Sequence, residues 1–497
     1  MTPILAVPNI KGVIMRILFY GGVNEIGGNK ILVDDGGSKI FLDFGLSYST
    51  YKRFYADFLA PRKCCGLNDY LEFGLIPNLP GLYRTDYTEK SGLKKHPLSY
   101  DAVFLSHAHF DHSMLITLLH EDLPIFSSLV TKKILCAIET AGQQVSGEFT
   151  RFCKAFQIGE RLRGEGLRKI PRKQLETERP YQEMNKPVDI NDMQITRLTV
   201  DHSIPGSSGY IIRTPQGNIA YTGDLRFHGA SSRNSEEFIK RACEEPLKIL
   251  ITEGTNIDKP TLMSEKELSK TVSDKISSVK GLVLVNFPIR DFERLNTFYK
   301  AAKENGRRLV INLKQALTIN YLEGLGLNIP PLKELGIYIP MKGWGLIDVH
   351  NASRELIEKD YYSWEKDFLF NENSLTYKDI KSDYSRYVLR CDYFELKNLT
   401  DIRPPEGSIY IRSITEPIDE EMELEDERTK NWLRHFNLFP YHQAHCSGHA
   451  SGEDLKRLIE ETDPEVVIPI HTERPHKFRE YKSNVWMPTP NAAYSLR

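Results

Sequence analysis

Six residues of the 497-residue chain, His107-Ala108-His109-Phe110-Asp111-His112, place three imidazoles and a carboxylate directly after the apolar run Ala102–Leu105. Neutral imidazoles and carboxylates are the borderline ligands that Zn²⁺ or Mn²⁺ prefers. Alternation along an extended chain points His107 and His109 the same way, while Asp111 and His112 follow a bend into a helix. Four such close neighbours do not wrap one ion comfortably, so the spacing predicts two divalent ions, each taking part of the set. Further ligands must then come from polar residues where apolar strands meet loops. His202 follows "ITRLTV", Asp224 ends "IAYTGD" and His471 ends "VVIPIH".

The elements that position these residues are legible in outline. "VIMRILFYGG" and "NKILVDDGGSKIFLDFG" read as strands, with Asp35-Gly36-Gly37 as hairpin punctuation. Residues 51–100 are rich in Tyr, Pro and Lys and read as an insertion of loops and short helices. "DAVFLS" reads as a buried strand, and "SMLITLLHEDL" after it has helical spacing. Strands return at 194–200, at "SGYIIRT" and at "NIAYTGD". Beyond residue 253 the order changes. Ser264 and Glu267 form a capping box; then come a helix, the strand "GLVLVNF", the helix "DFERLNTFYKAAKEN" and the strand "RRLVINL". That order predicts a parallel sheet. It contains no G-x-G-x-x-G, so it need not bind a dinucleotide. "GEDLKRLIEETDPEVVIPIH" reads as helix, turn, strand.

Composition sets the remaining bounds. Apolar content of 40%, charged content of 27% and a net charge of −2 are those of a soluble globular protein. No apolar run approaches the ~20 residues of a membrane span, and the N-terminus lacks a signal-peptide layout. The seven cysteines show no C-x-x-C pair, which predicts reduced thiols and a cytoplasmic location. Charge is uneven: residues 151–173 carry eight Lys/Arg against two Glu, and residues 416–427 carry eight acids and no base. These are either two solvated segments or a phosphate-attracting stripe with an acidic counterpart.

The order "FLDFG", "HAHFDH", "HSIPGSSG", "YTGD" resembles the metallo-β-lactamase superfamily. The later order "ITEGTN", "HCSGHAS", "PIHTE" resembles its β-CASP nuclease branch, in particular the ribonuclease J group, whose opening is also similar to "FYGGVNEIGGN". The resemblance implies an α/β fold, an αββα sandwich carrying an inserted parallel-sheet β-CASP domain. The sandwich would take residues 1–255 and 446–497, and the insert 256–445. His107, His109 and His202 would hold one ion. Asp111, His112 and His471 would hold the other, with Asp224 bridging and Asp43 supporting the site from behind. A shared water would be the nucleophile, oriented by Asp111. His449 would be the general acid, paired with Glu253; His445 and Ser447 would hold RNA phosphates; Arg294 would lie near the substrate groove.

The activity so implied is hydrolysis of single-stranded RNA by a metal-dependent ribonuclease with two divalent ions, Zn²⁺ or Mn²⁺. It would act 5′ to 3′ as an exonuclease, with endonuclease activity beside it. The alternatives are a polyadenylation-factor-like endoribonuclease, a DNA nuclease of the same fold, and a non-catalytic RNA-binding subunit. Histidine at 471 favours RNA, since the DNA-repair branch tends to carry valine there. The expected partners are single-stranded RNA and a second copy in a homodimer, with no membrane. Only about 20 residues follow "PIHTERP", too few for the C-terminal domain of bacterial ribonuclease J. Residues 51–100 are expected at the mouth of the cleft.

Overall fold

The computed structural model describes residues 15–56, 59–142, 148–161, 165–416 and 420–496. Parts of the basic run (162–164) and of the acidic run (417–419) lie outside the described residues.

Two mixed sheets pack face to face. The first has seven strands in the order Tyr181–Glu183, Ile125–Ser127, Ala102–Phe104, Lys39–Phe44, Lys30–Asp34, Met15–Gly21, Ala493–Leu496. The second has six, in the order Val188–Ile190, Met193–Thr199, Ser208–Arg213, Asn218–Tyr221, Leu247–Thr252, Val466–Pro469. Period-two alternation decides which side chains fill the space between them. Ile31, Val33, Ile40 and Leu42 of the first sheet meet Ile195, Ile212, Ile249 and Ile468 of the second. Their neighbours point outward: Leu32, Phe41 and Val103 join one outer core, and Ala220, Leu250 and Val467 join another. Helices Ser232–Ala242 and Gly452–Thr462 cover the second sheet through Phe238, Ile239, Leu455 and Leu458. The architecture is a four-layer αββα sandwich.

The hairpin at Asp35-Gly36-Gly37 forms as expected. Asp34 pairs with Lys39, Asp35 Oδ1 accepts from the Gly37 and Ser38 amides, and Gly36 takes a φ of 85°. The stretch "SMLITLLHEDL" departs from expectation. After one α-helical turn at Phe110–Ser113 it tightens into the 3₁₀ helix Met114–Leu118. Leu115, Ile116 and Leu118 are buried there, so packing on the sheet sets the pitch. Residues 51–100 contain the short helices Asn68–Glu72 and Thr85–Lys90. Leu67, Leu75, Leu82 and Tyr83 bury themselves in the same core as Phe41 and Phe44. The segment is therefore part of the layer covering the first sheet.

A third sheet has seven parallel strands, in the order Ser374–Leu375, Gly336–Tyr338, Arg308–Ile311, Tyr387–Arg390, Val283–Asn286, Ile409–Arg412, His442–Gln443. Its helix Glu265–Ser277 starts at the Ser264–Glu267 capping box, and helix Phe292–Glu304 starts at Asp291, whose carboxylate accepts from the Arg294 amide. In the basic run, Arg151 pairs with Glu139 and Glu176 at 2.5 and 2.9 Å. In the acidic run, Asp426 pairs with Lys430 at 2.9 Å. The seven cysteines form no disulfide. Among the described residues no helix is long and apolar enough to cross a membrane.

Candidate metal centre

Strand Ala102–Phe104 delivers His107 just past its carboxyl end, and His109 caps the helical turn Phe110–Ser113. The His109 carbonyl accepts from the His112 and Ser113 amides, which sets the bend that turns Asp111 and His112 back toward His107. The Asp111 carbonyl is held in turn by the amides of Gly28 and Asn29, at 3.0 and 3.1 Å. This close approach explains two glycines. A Cβ on Gly27, whose φ is 79°, would lie 2.5 Å from Asp111 Oδ2, and one on Gly45 would lie 1.7 Å from the Asp111 carbonyl oxygen. Asp224 arrives from the end of strand Asn218–Tyr221 and His471 from the end of strand Val466–Pro469, both in the second sheet.

These elements converge on two overlapping clusters. His107, His109, His202 and Asp224 form one; Asp111, His112, His471 and Asp224 form the other. Within each, one ligand atom per residue lies within 4.8 Å of every other. Asp224 Oδ2 is 3.6 Å from His107 Nε2 and 3.8 Å from His202 Nε2 on one side. On the other it is 3.1 Å from His112 Nε2 and 3.6 Å from His471 Nε2.

The outer nitrogens are already engaged. His112 Nδ1 lies 2.8 Å from Asp43 Oδ2, His107 Nδ1 2.9 Å from Ser106 Oγ, His202 Nδ1 2.5 Å from the Gly448 carbonyl and His471 Nδ1 3.0 Å from Thr255 Oγ1. Such partners fix the tautomer and leave Nε2 with its lone pair facing inward. Asp43 also accepts from the Ser106 amide, Ser106 Oγ and Tyr221 OH, at 2.6, 2.7 and 2.5 Å. With its own φ at 57°, it is locked behind the cluster.

Electrostatics agree with a ligand set. Burial, with the neighbouring imidazoles, holds His107 well below its usual pKa, and burial brings His109 down to about 4. Burial opposes charge on His112 as well, yet Asp224, Asp111 and Asp43 together push it well above the usual value. A cation entering the cluster would take over the proton's part. Among the described residues, His112 Nε2 and Asp224 Oδ1 are buried without a hydrogen-bond partner. Orphaned polar atoms of this kind cost free energy unless something binds them. The donor set, five imidazole nitrogens and two carboxylates, fits borderline divalent cations.

Beside this cluster, His449 Nδ1 donates to Glu253 Oε2 at 2.9 Å and stands 3.9 Å from Asp224 Oδ2. Burial alone would discharge His449, but Glu253 and Asp224 outweigh it and raise its pKa to about 9. Glu253 Oε1 accepts from the Leu225 amide, which ties the pair to the Asp224 loop.

The chain matches the family model described as "Metallo-beta-lactamase superfamily" over residues 80–270, which span the His107–His112 loop, His202, Asp224 and Glu253. The chain resembles the metallo-β-lactamase superfamily over this region. Residues 441–484, with His449 and His471, match the model described as "Zn-dependent metallo-hydrolase RNA specificity domain". Curated relatives that the chain matches include several named ribonuclease J. The chain is 24% identical to ribonuclease J of Pyrococcus abyssi over 92% of its own length and 90% of that protein. It is 26% identical to ribonuclease J 2 of Streptococcus pyogenes over 60% of its length, a match that spans only 45% of that relative. A crystal structure of a protein of unknown function from Enterococcus faecalis V583 shares the fold, with a TM-score of 0.72 at 24% identity, covering 97% of this chain and 100% of that one.

Most of the expected site residues meet: the seven ligand candidates, Asp43, His449 and Glu253. Arg294 does not line a groove. It is fully buried, and its two terminal nitrogens are spent on Ser413, on Glu265 at 2.9 Å and on the Cys446 carbonyl at 3.0 Å. It braces the "HCSGHAS" turn from inside the protein. His445 is half-buried against the Ser413 carbonyl and Arg294, and burial with the neighbouring guanidinium lowers its pKa to about 4. Ser447 Oγ accepts from Asn256 Nδ2 and from the His449 amide. Sequence reasoning missed Tyr221, Ser106 and Thr255 as partners of the site. It also missed Arg226, which is fully buried and donates to the Ser447 carbonyl at 3.1 Å. Their only sequence signal was adjacency to the ligand motifs.

Proposed function

We propose that this protein is a metal-dependent ribonuclease that hydrolyses phosphodiester bonds of single-stranded RNA. The observation that carries this reading is the pair of ligand clusters sharing Asp224, with the His449–Glu253 pair at their edge. His107, His109 and His202 would hold one divalent cation, Asp111, His112 and His471 the other, and Asp224 both. Two such cations, Zn²⁺ or Mn²⁺, lower the pKa of water and neutralise charge developing on a phosphodiester.

The chain's own residues supply the rest. Asp43, Ser106 and Tyr221 hold His112 and His107 in place. Asp111, with its backbone clamped by the glycine loop, orients the attacking water. His449 donates its proton to the leaving 3′-oxygen, and Glu253 holds that proton on His449 until it is needed. Names of the relatives and the RNA-specificity match support RNA as the polymer. The domain division at residues 255 and 445, the cytoplasmic location and pairing into a homodimer belong to the same reading, as does 5′-to-3′ exonuclease action with endonuclease activity beside it.

The test is the product ladder from end-labelled single-stranded RNA, alongside a circular RNA and single-stranded DNA. Exonuclease action predicts mononucleotides from 5′-monophosphate RNA and an intact circle; cutting of the circle shows the endonuclease. Activity that survives a chelator, or preference for DNA, refutes the reading.

A further inference from the structure

A cavity of about 490 Å³ opens beside His109 and Phe110 of the ligand loop. Helix Leu129–Ala141 forms one wall through Ala137 and Ile138; the other is formed by Asn286 and Arg390 of the parallel sheet with Arg290 and Lys314 from the segments that follow its strands. Arg290 lies on the loop between strand Val283–Asn286 and helix Phe292–Glu304, at the carboxyl end of a central parallel strand. Sheets of this kind bind ligands at that end.

The cavity's cations differ in kind. Arg390 is neutralised by Asp392 and Glu395, each at 3.0 Å. The side chains of Arg290 and Lys314 make no ion pair and no hydrogen bond with any described residue. Arg290 instead rests on the face of Phe110, with its guanidinium carbon 4.3 Å from the ring centroid. Burial draws its pKa down, opposed by Tyr48 and Asp111. A half-buried guanidinium held on an aromatic face with unspent donors is set up to receive an anion. Phe110 fixes the plane, the cavity supplies the room, and the fork of N–H groups suits the oxygens of a phosphate.

We propose that Arg290, assisted by Lys314, grips a backbone phosphate of the polynucleotide strand next to the bond being cut. This rests on the nucleic-acid reading above and extends it, placing the strand's path through the cavity between the lactamase helix Leu129–Ala141 and the parallel sheet. It also moves the substrate-binding arginine of the helix Phe292–Glu304 region from buried Arg294 to Arg290.

Steady-state cleavage of a single-stranded RNA across a salt series tests it. In R290Q, KM rises roughly tenfold or more, the worth of a hydrogen bond to a charged group, and kcat changes little. The slope of log KM against log salt falls by about 0.7, the value for one phosphate contact on a single strand. R290K keeps that slope, because the charge remains. K314Q, an exposed substitution that leaves the fold alone, lowers the slope in the same direction and decides the matter if R290Q does not fold. If R290Q and K314Q keep the wild-type KM and slope while the wild type cleaves RNA in a salt-dependent way, the phosphate grip is wrong and the nuclease reading stands. A wild type that does not cleave RNA overturns both.

Discussion

Replacing Glu253 by Gln tests the proton donor without emptying the metal clusters. Glu253 is fully buried, its Oε2 is 2.9 Å from His449 Nδ1, and it is the largest attraction that lifts His449 to about 9 against burial. The amide keeps an acceptor oxygen within reach but removes the charge. A hydrogen bond to a charged group is worth about 1.5–3 kcal/mol against about 1 for a neutral one. The difference corresponds to a fall of roughly one unit in the pKa of His449. Cations at the clusters cancel the pull of Asp224 and leave that of Glu253, so the shift survives metal loading. The sign follows: a general acid must be protonated, so cleavage is lost as pH rises through its pKa. In E253Q that loss moves about one unit toward neutrality. Linkage runs the same way. A raised histidine pKa adds stability that is complete below its unfolded value and vanishes as pH rises through about 9. The assay is single-turnover cleavage of end-labelled RNA from pH 6 to roughly 10, with metal content measured on each preparation. An E253Q profile that falls at the wild-type pH, or E253Q protein stripped of metal, refutes the role given to the pair.

Other substitutions separate holding a cation from moving a proton. H449A is expected to keep both metals and lose ~10²–10⁴-fold in rate, the usual worth of a general acid; metal loss in elemental analysis counts against it. H112A is expected to empty a cation position and abolish cleavage. D43A leaves the ligands in place but frees His112, and metal affinity measured by chelator competition falls ~10–100-fold. R294M leaves Glu265 buried without its partner and is expected to lower unfolding free energy by about 3–5 kcal/mol in denaturant titration; unchanged stability would show that Arg294 is no brace.

What the sequence determined by itself is local. His107 to His112 sit on one strand-to-helix bend, and their relation depends on six residues of backbone, so spacing alone announced a ligand loop. The Asp35-Gly36-Gly37 hairpin, the Ser264 cap and the strand–helix–strand order of the parallel sheet were legible for the same reason. Resemblance, not spacing, paired His449 with Glu253 and placed Asp43 behind the cluster. Only the tertiary structure decided the rest, because it depends on which side chains packing leaves room for. Residues 51–100 read as an insertion of loops and short helices, and their leucines and tyrosines turn out to cover the first sheet. Arg294 and Arg290 lie four residues apart in the sequence. The first points inward and is consumed by Glu265, Ser413 and Cys446; the second lies on Phe110 and faces a cavity. An arginine's sequence neighbourhood does not say whether its donors are already spent. That is settled when sheets and helices from distant parts of the chain close around it.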